Sequence, residues 1–242
     1  MEAIMRHTRV TAAILSATAA FLLLIVFLFA SITMVMNDEA RHSREYKELG
    51  IAQTMGMSQE EVLDSLMLVI DYMQGNTDSI EKEVTVYGEK VMMFNGRETA
   101  HMSDVRELYL GWRSASYVMA GVAAVLIASA AAILPKKVRL KALCGGCLWG
   151  YASFAAIAAA IGAWFLIDFY SLWTAFHKLF FTNELWLMHY TDRMIQMMPE
   201  PFFYNIIIDI FLLFAVFAAA LLAAAGAYLI FKKRGGSREA RA

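Results

Sequence analysis

Two of the five histidines, His101 and His177, sit where acid–base chemistry is feasible. His101 shares one helical face with Asp104, Val105 and Leu108, at spacings of i, i+3, i+4 and i+7. His177 is set between Phe176 and the Phe180–Phe181 pair. An imidazole titrates near neutral pH, so it can take a proton from a nucleophile and return it to a leaving group. A buried, hydrogen-bonded structural histidine is the competing reading for each. His7 and His42 lie in charged stretches and read as solvated surface residues, and His189 is ambiguous.

Other candidates are weaker. Asp168 and Asp209 fall at the edge of, or within, apolar stretches, where a charge is costly and often functional. Both lie near the ends of those stretches, where water reaches them. Cys144-Gly-Gly-Cys147 has the spacing of a redox or zinc pair, but no second Cys/His pair and no βαβ pattern accompanies it. It overlaps Gly146-x-x-x-Gly150 and reads as close helix packing. No Gly-rich phosphate loop, G-x-S-x-G elbow or H-E-x-x-H motif is present. A metal site built from His101, Asp104 and His177 would need a further ligand.

The elements that must position these residues cross a membrane. Sixty per cent of the chain is hydrophobic, against about 45–50% in soluble domains. The excess falls in four blocks, from about Val10 to Met36, Ser114 to Leu134, Leu143 to Ile167 and Phe202 to Phe231. Each satisfies the requirement of ~20 apolar residues for a span. Lipid leaves backbone groups no external partner, so the blocks are helices. The first is too long for the apolar region of a signal peptide, and no clear cleavage site follows it. The expected fold is an α-helical integral membrane protein: a four-helix transmembrane bundle with a small extracellular α+β insertion between the first two spans.

Basic residues orient the spans. Arg6 and Arg9, the run Lys136, Lys137, Arg139 and Lys141, and the tail with Lys232, Lys233, Arg234, Arg238 and Arg241 mark one side as cytoplasmic. Residues 37–110 carry fifteen acidic and seven basic side chains, a net of −8, and face outward. The expected organisation is a cytoplasmic N-terminus and first span over 1–36, an extracellular domain over 37–110, and the second span with its basic cytoplasmic loop over 111–142. The third span covers 143–172, an extracellular aromatic loop 173–201, and the fourth span with its cytoplasmic tail 202–242. The whole chain has a net charge of −1, which offers nothing to nucleic acid.

Within the first outer segment, Ser58-Gln-Glu-Glu61 is a capping box. Val62, Leu63, Leu66, Met67, Ile70 and Met73 follow at helical spacing, and Gly75 closes that helix. Val84–Tyr87, a turn at Gly88-Glu89, and Val91–Phe94 predict a hairpin ended by Asn95-Gly96. A helix then starts near Arg97 and continues toward the second span.

The stretch Phe94-Asn-Gly-Arg97-Glu-Thr-Ala-His101-Met-Ser-Asp104-Val-Arg106 resembles one family signature. Phe176-His177-x-x-Phe180-Phe181, followed by Trp186, Asp192, Ile195 and Pro199-Glu200-x-Phe202-Phe203, resembles another. Together, and with the order of spans, they are similar to the lipoprotein intramolecular transacylases of Gram-positive bacteria. The resemblance extends over nearly the whole chain. It implies an enzyme in the cell membrane that needs no cofactor. Its substrate would be a lipoprotein whose N-terminal cysteine carries a diacylglyceryl group and a free α-amine. The sn-2 acyl chain would move to that amine, leaving the lyso form. The family's two essential histidines match His101 and His177.

On that expectation His177 is the base and His101 the acid or oxyanion stabiliser. Asp104 orients His101, Asp192 or Asp168 orients His177, and Arg97 meets the developing oxyanion or the substrate's polar head. The alternative is a non-enzymatic membrane protein that binds a partner through its acidic outer domain. A metal-dependent membrane hydrolase is a further rival. A transporter is disfavoured, because the spans show no broken helix and no inverted repeat.

Overall fold

The computed structural model describes residues 2–239, with side chains over 5–223. The basic tail lies outside the described side chains, and Arg241 outside the described residues altogether. The chain is mainly helical: α1 (Glu2–Met36), α2 (Glu39–Leu49), α3 (Ile51–Met55), α4 (Gln59–Gln74), then strands β1 (Glu83–Val86) and β2 (Glu89–Met92). There follow α5 (Gly96–Ala132), α6 (Lys136–Ile167), α7 (Phe169–Phe180), α8 (Arg193–Met197) and α9 (Glu200–Glu239). Among the described residues four helices are long and apolar enough to span a membrane: Met5–Met36, Gly96–Ala132, Lys136–Ile167 and Glu200–Ala223.

The chain forms two compact units. The first comprises 1–30, 115–169 and 212–242. Small residues bring its helices together. Gly146 of α6 lies against Ser16 and Ala13 of α1, and Gly150 against Ala17 and Ala20. A Cβ on Gly150 would fall 2.2 Å from the carbonyl oxygen of Ala17, so only glycine fits there. Cys144 and Cys147 belong to this packed face; Cys147 Sγ lies 3.9 Å from the Ser16 carbonyl oxygen. Leu24 of α1 packs with Phe214 and Ala218 of α9. Lys136–Lys141, expected as a loop, instead form the first turns of α6 behind the N-cap Pro135. Pro is well suited to a helix start, and Lys and Arg are good helix formers.

The second unit comprises 31–114 and 170–211. Ser58 caps α4 by accepting from Glu61 N at 3.1 Å, and Gly75 ends it with a φ of 80°. Glu61 also accepts from Thr85 N at 3.1 Å, which fastens the hairpin to the start of α4. The hairpin turn is Tyr87-Gly88 and not Gly88-Glu89. Both turn residues have positive φ (50° and 87°), as a two-residue type I′ turn requires. Tyr87 N donates to the Gly56 carbonyl at 2.8 Å. A Cβ on Gly56 would meet the Tyr87 ring at 2.5 Å. The hairpin thus seats its strained residue on a bare backbone.

Two further expectations are corrected. Residues 173–201 are not simply a loop: α7 runs to Phe180 and α8 is a short helix. His42 is not a solvated residue but 0% exposed. Its Nε2–H donates to the Met36 carbonyl at 3.0 Å, and its Nδ1 lies 3.3 Å from Arg41 Nη1. With Tyr46 it packs on the ring of Phe202. The charged residues around it had hidden an inward face.

Candidate functional site

α5 and α7 bring His101 and His177 together within the second unit. Their rings lie 6.0 Å apart, centre to centre, tilted by 33°. They are 7% and 5% exposed, so both are desolvated. They share a cavity of about 200 Å³. Its remaining walls are apolar: Leu66 and Ile70 of α4, Val105 of α5, and Met194, Ile195 and Met198 around α8.

Burial penalises a charged imidazole. It pushes the pKa of His101 down to about 4, with the neighbouring His177 adding to the effect and Asp104 weakly opposing it. His101 lies twelve residues before Arg113, the last charge ahead of the apolar part of α5, and so stands outside the spanning segment. Burial also lowers His177, against the opposing effect of its hydrogen bond to Trp173. Both rings are therefore neutral at pH 7.

Position and protonation differ between the two. His177 Nδ1 lies 2.8 Å from the carbonyl oxygen of Trp173, one turn earlier in α7. A carbonyl only accepts, so Nδ1 carries the proton and Nε2 keeps its lone pair. The ring is clamped between Trp173 (4.6 Å) and Trp186 (4.9 Å, stacked), with Phe181 beyond. His101 packs edge-on to Phe181 at 5.3 Å, and its buried Nδ1 has no hydrogen-bond partner. Such a buried polar atom is costly unless something completes it. One neutral imidazole with an open lone pair and another with an orphaned polar nitrogen, in an apolar cavity, suit proton transfer to and from a bound molecule.

The expected supporting residues make contacts of their own. Asp104 Oδ2 accepts from Asn183 Nδ2 at 2.9 Å, and no hydrogen bond joins it to His101. Arg97 donates to the backbone carbonyls of Glu184 and Leu185. Asp192 accepts from Asn95 Nδ2 at 3.0 Å and from His189 N at 2.7 Å. All three tie the segment that follows α7 to the first turns of α5. Asp168 belongs to the other unit, at the C-cap of α6. His189 is exposed and bonded to Thr191. Among the described residues no three His, Cys, Asp or Glu side chains converge as a metal cluster.

Glu98 was not singled out as a site residue. It is 1% exposed and accepts from Asn95 N at 2.6 Å and Met194 N at 2.7 Å. The Asn95-x-x-Glu98 spacing is a capping-box signal that lay in plain view. Asp209, the charge inside the fourth apolar block, is held by Arg41 at 2.8 Å. With Glu45 and Asn205 it lines a second, polar recess of about 230 Å³.

A family model described as lipoprotein intramolecular transacylase Lit matches residues 17–203. Among solved structures, the chain is similar to the in meso structure of the membrane integral lipoprotein intramolecular transacylase Lit from Bacillus cereus. The TM-score is 0.72 at 21% identity, over 95% of this chain and 98% of that one. Structures of two single-histidine variants of the same protein give TM-scores of 0.68 and 0.66, both at 22% identity. The first covers 96% of this chain and 95% of that one, and the second 95% and 96%. At these identities the likeness is one of fold. No curated protein matches the chain.

Proposed function

This chain belongs to the lipoprotein intramolecular transacylase family and is a membrane enzyme of that class; from that premise we propose that His177 and His101 move the sn-2 acyl chain of a diacylglyceryl-cysteine lipoprotein onto the α-amine of the same cysteine. The observation that carries the proposal is the buried pair: two neutral imidazoles 6.0 Å apart, one with its tautomer fixed by Trp173.

The reaction is aminolysis of an ester within one molecule. Amine and carbonyl meet through a roughly eight-membered ring, which forms poorly in a floppy lipid. Holding them in contact removes much of the entropic barrier, up to ~7–11 kcal/mol in favourable cases. The α-amine has a reference pKa of about 7.7–8.0. The apolar cavity that keeps both histidines neutral disfavours an ammonium for the same reason, so the amine enters uncharged.

As the amine nitrogen bonds to the sn-2 carbonyl carbon, its proton passes to His177 Nε2. The carbonyl oxygen becomes an oxyanion, and an N–H of the His101 ring, which lines the same cavity, would stabilise it. The C–O bond to glycerol then breaks, and the departing alkoxide takes the proton from the imidazolium. The acyl chain ends on nitrogen and the proton on oxygen, so neither histidine is consumed. The cavity walls receive the acyl chain. Arg97, Asp104 and Asp192 act in this reading by holding the segment that bears Trp186.

The substrate is a diacylated lipoprotein in the outer leaflet of a bacterial cytoplasmic membrane. Both termini face the cytoplasm and the histidine cavity faces outward, which the basic Arg6–Arg9 and Lys136–Lys141 stretches support.

The test is expression in a bacterium that makes diacylglyceryl lipoproteins but cannot N-acylate them. The mass is unchanged by the transfer, so tandem mass spectrometry must locate the chain. Wild type should yield N-acyl, monoacylglyceryl cysteine, while His101→Asn and His177→Asn leave the diacylglyceryl form. Properly inserted wild-type protein that leaves the lipopeptide untouched would overturn the proposal and favour the partner-binding alternative.

A further inference from the structure

In a capping box the N3 carboxylate returns to the backbone N–H of the N-cap residue, and its other oxygen normally meets water. Asn95 and Glu98 begin α5 this way. Asn95 Oδ1 accepts from Arg97 N at 2.9 Å and Glu98 N at 3.0 Å, and Glu98 Oε2 accepts from Asn95 N at 2.6 Å. Here the second oxygen does not meet water. Oε1 accepts from Met194 N at 2.7 Å, in a buried bond spanning 96 residues of sequence.

Met194 lies in the first turn of α8, where backbone N–H groups lack intrahelical partners. The N-cap of α8, Asp192, makes no side-chain cap bond and is turned toward Asn95 and His189. One carboxylate thus caps two helices. One of them carries His101 three residues further on. The other carries Met194 and Ile195 and is followed by its C-cap Met198, and together these form a wall of the cavity.

We infer that Glu98 is a positioning residue, a clasp that holds the α8 wall of the cavity at a fixed distance from His101 and so sets where the substrate's ester lies. This rests on the transacylase reading for its consequence, though not for its structure. A carboxylate suits the task because it accepts two strong, charge-assisted bonds and donates none. A glutamine of the same shape keeps one acceptor oxygen and turns an NH₂ against the second amide.

The test compares wild type with Glu98→Gln, purified in detergent, on a synthetic diacylglyceryl lipopeptide. Rates are taken per folded molecule, judged by thermal melting and gel filtration. Hydrogen–deuterium exchange of peptides covering 192–198 is followed in parallel. The expected result is kcat lower by about 10- to 100-fold, the equivalent of one hydrogen bond to a charged group. KM should change less than threefold, and exchange should quicken at 192–198 while the α6 peptides stay as in wild type. A general loss of folding would instead quicken exchange throughout and lower the active fraction without touching kcat per folded molecule. If Glu98→Gln does not fold, Glu98→Asp, which keeps the charge but not the reach to both amides, is put through the same measurements.

Faster exchange at 192–198 with wild-type kcat would overturn the inference, as would a lower kcat with unchanged exchange. A wild-type protein that fails to transacylate would sink the reading of the site, while the exchange data would still report on the clasp.

Discussion

His177 donates its Nδ1 proton to the carbonyl of Trp173 at 2.8 Å, one turn back along its own helix. The base therefore presents Nε2, with its lone pair, to the cavity. Replacing His177 by Asn removes that lone pair while retaining a polar side chain. The expected loss is about 10²–10⁴ in kcat, the usual size of a general-base contribution. His101→Asn, if it removes an oxyanion donor, should cost about 10²–10³. Melting temperatures close to wild type, with kcat read from located acyl chains, would assign both losses to chemistry. A variant of either residue with half of wild-type kcat would remove it from the mechanism.

The pH dependence follows from the direction of the shifts. His177 acts as a neutral base, and burial lowers its pKa below the ordinary 6.5. It stays competent as pH falls to 6.5 and is lost only lower. The free substrate amine titrates at about 7.7–8.0. So kcat/KM should climb nearly tenfold per unit from about pH 6.5 to 7.5, bend near 8 and level off by about pH 9. By contrast kcat, which reports the enclosed complex, should be flat over the same range. An acid limb in kcat at or above pH 6.5 would mean that His177 is not desolvated when substrate is bound.

Arg41 faces two carboxylates of unequal exposure. The side chain of Asp209 is 42% exposed and that of Glu45 only 7%. Losing the exposed partner should matter little, so Asp209→Asn is expected to cost about 1 kcal/mol or less. Arg41→Met strands the buried carboxylate and should cost about 3–5 kcal/mol at neutral pH. Burial already pushes the Glu45 carboxyl above its usual 4.5, and without Arg41 it would rise further. Folded protein then holds a proton that unfolded protein releases, so stability falls as pH rises through that range. The Arg41→Met deficit should shrink on going from pH 7 toward 5. Melting curves of both variants at the two pH values decide it; equal deficits would show that the recess is effectively solvated.

Two glycines of α6 should respond in opposite ways to alanine. At Gly150 a Cβ would lie 2.2 Å from the Ala17 carbonyl oxygen, while at Gly162 nothing lies within 4 Å. Gly150→Ala must push α1 and α6 apart and should cost roughly 1–3 kcal/mol. Gly162→Ala gains helix propensity and should be neutral or stabilising by up to about 1 kcal/mol. Thermal unfolding in detergent measures both. Equal behaviour of the pair would refute the close approach of α1 and α6.

By itself the sequence determined the parts of this protein that depend on local pattern. Four long apolar blocks can only be helices in lipid, and the Ser58 cap and the period from Val62 to Met73 define α4. The setting of His101 and His177 marked both as candidates before any contact was known. What local pattern could not reach was decided by pairing across long stretches of chain. Arg97, Asp104 and Asp192 read as catalytic helpers because they neighbour the histidines in sequence. Their partners, Leu185, Asn183 and Asn95, lie 79 to 97 residues away and draw them into tying down a loop. His42 looked solvated because its neighbours are charged, yet Phe202 and the Met36 carbonyl close over it. α7 passed for a loop because it follows directly on the third apolar block, with only Asp168 between, and its five aromatics read as rings at the membrane boundary. Glu98 shows the division most clearly. Its spacing from Asn95 announces a helix cap, a local fact, but only the tertiary fold brings Met194 N to its second oxygen and makes the cap a joint between two walls of one cavity.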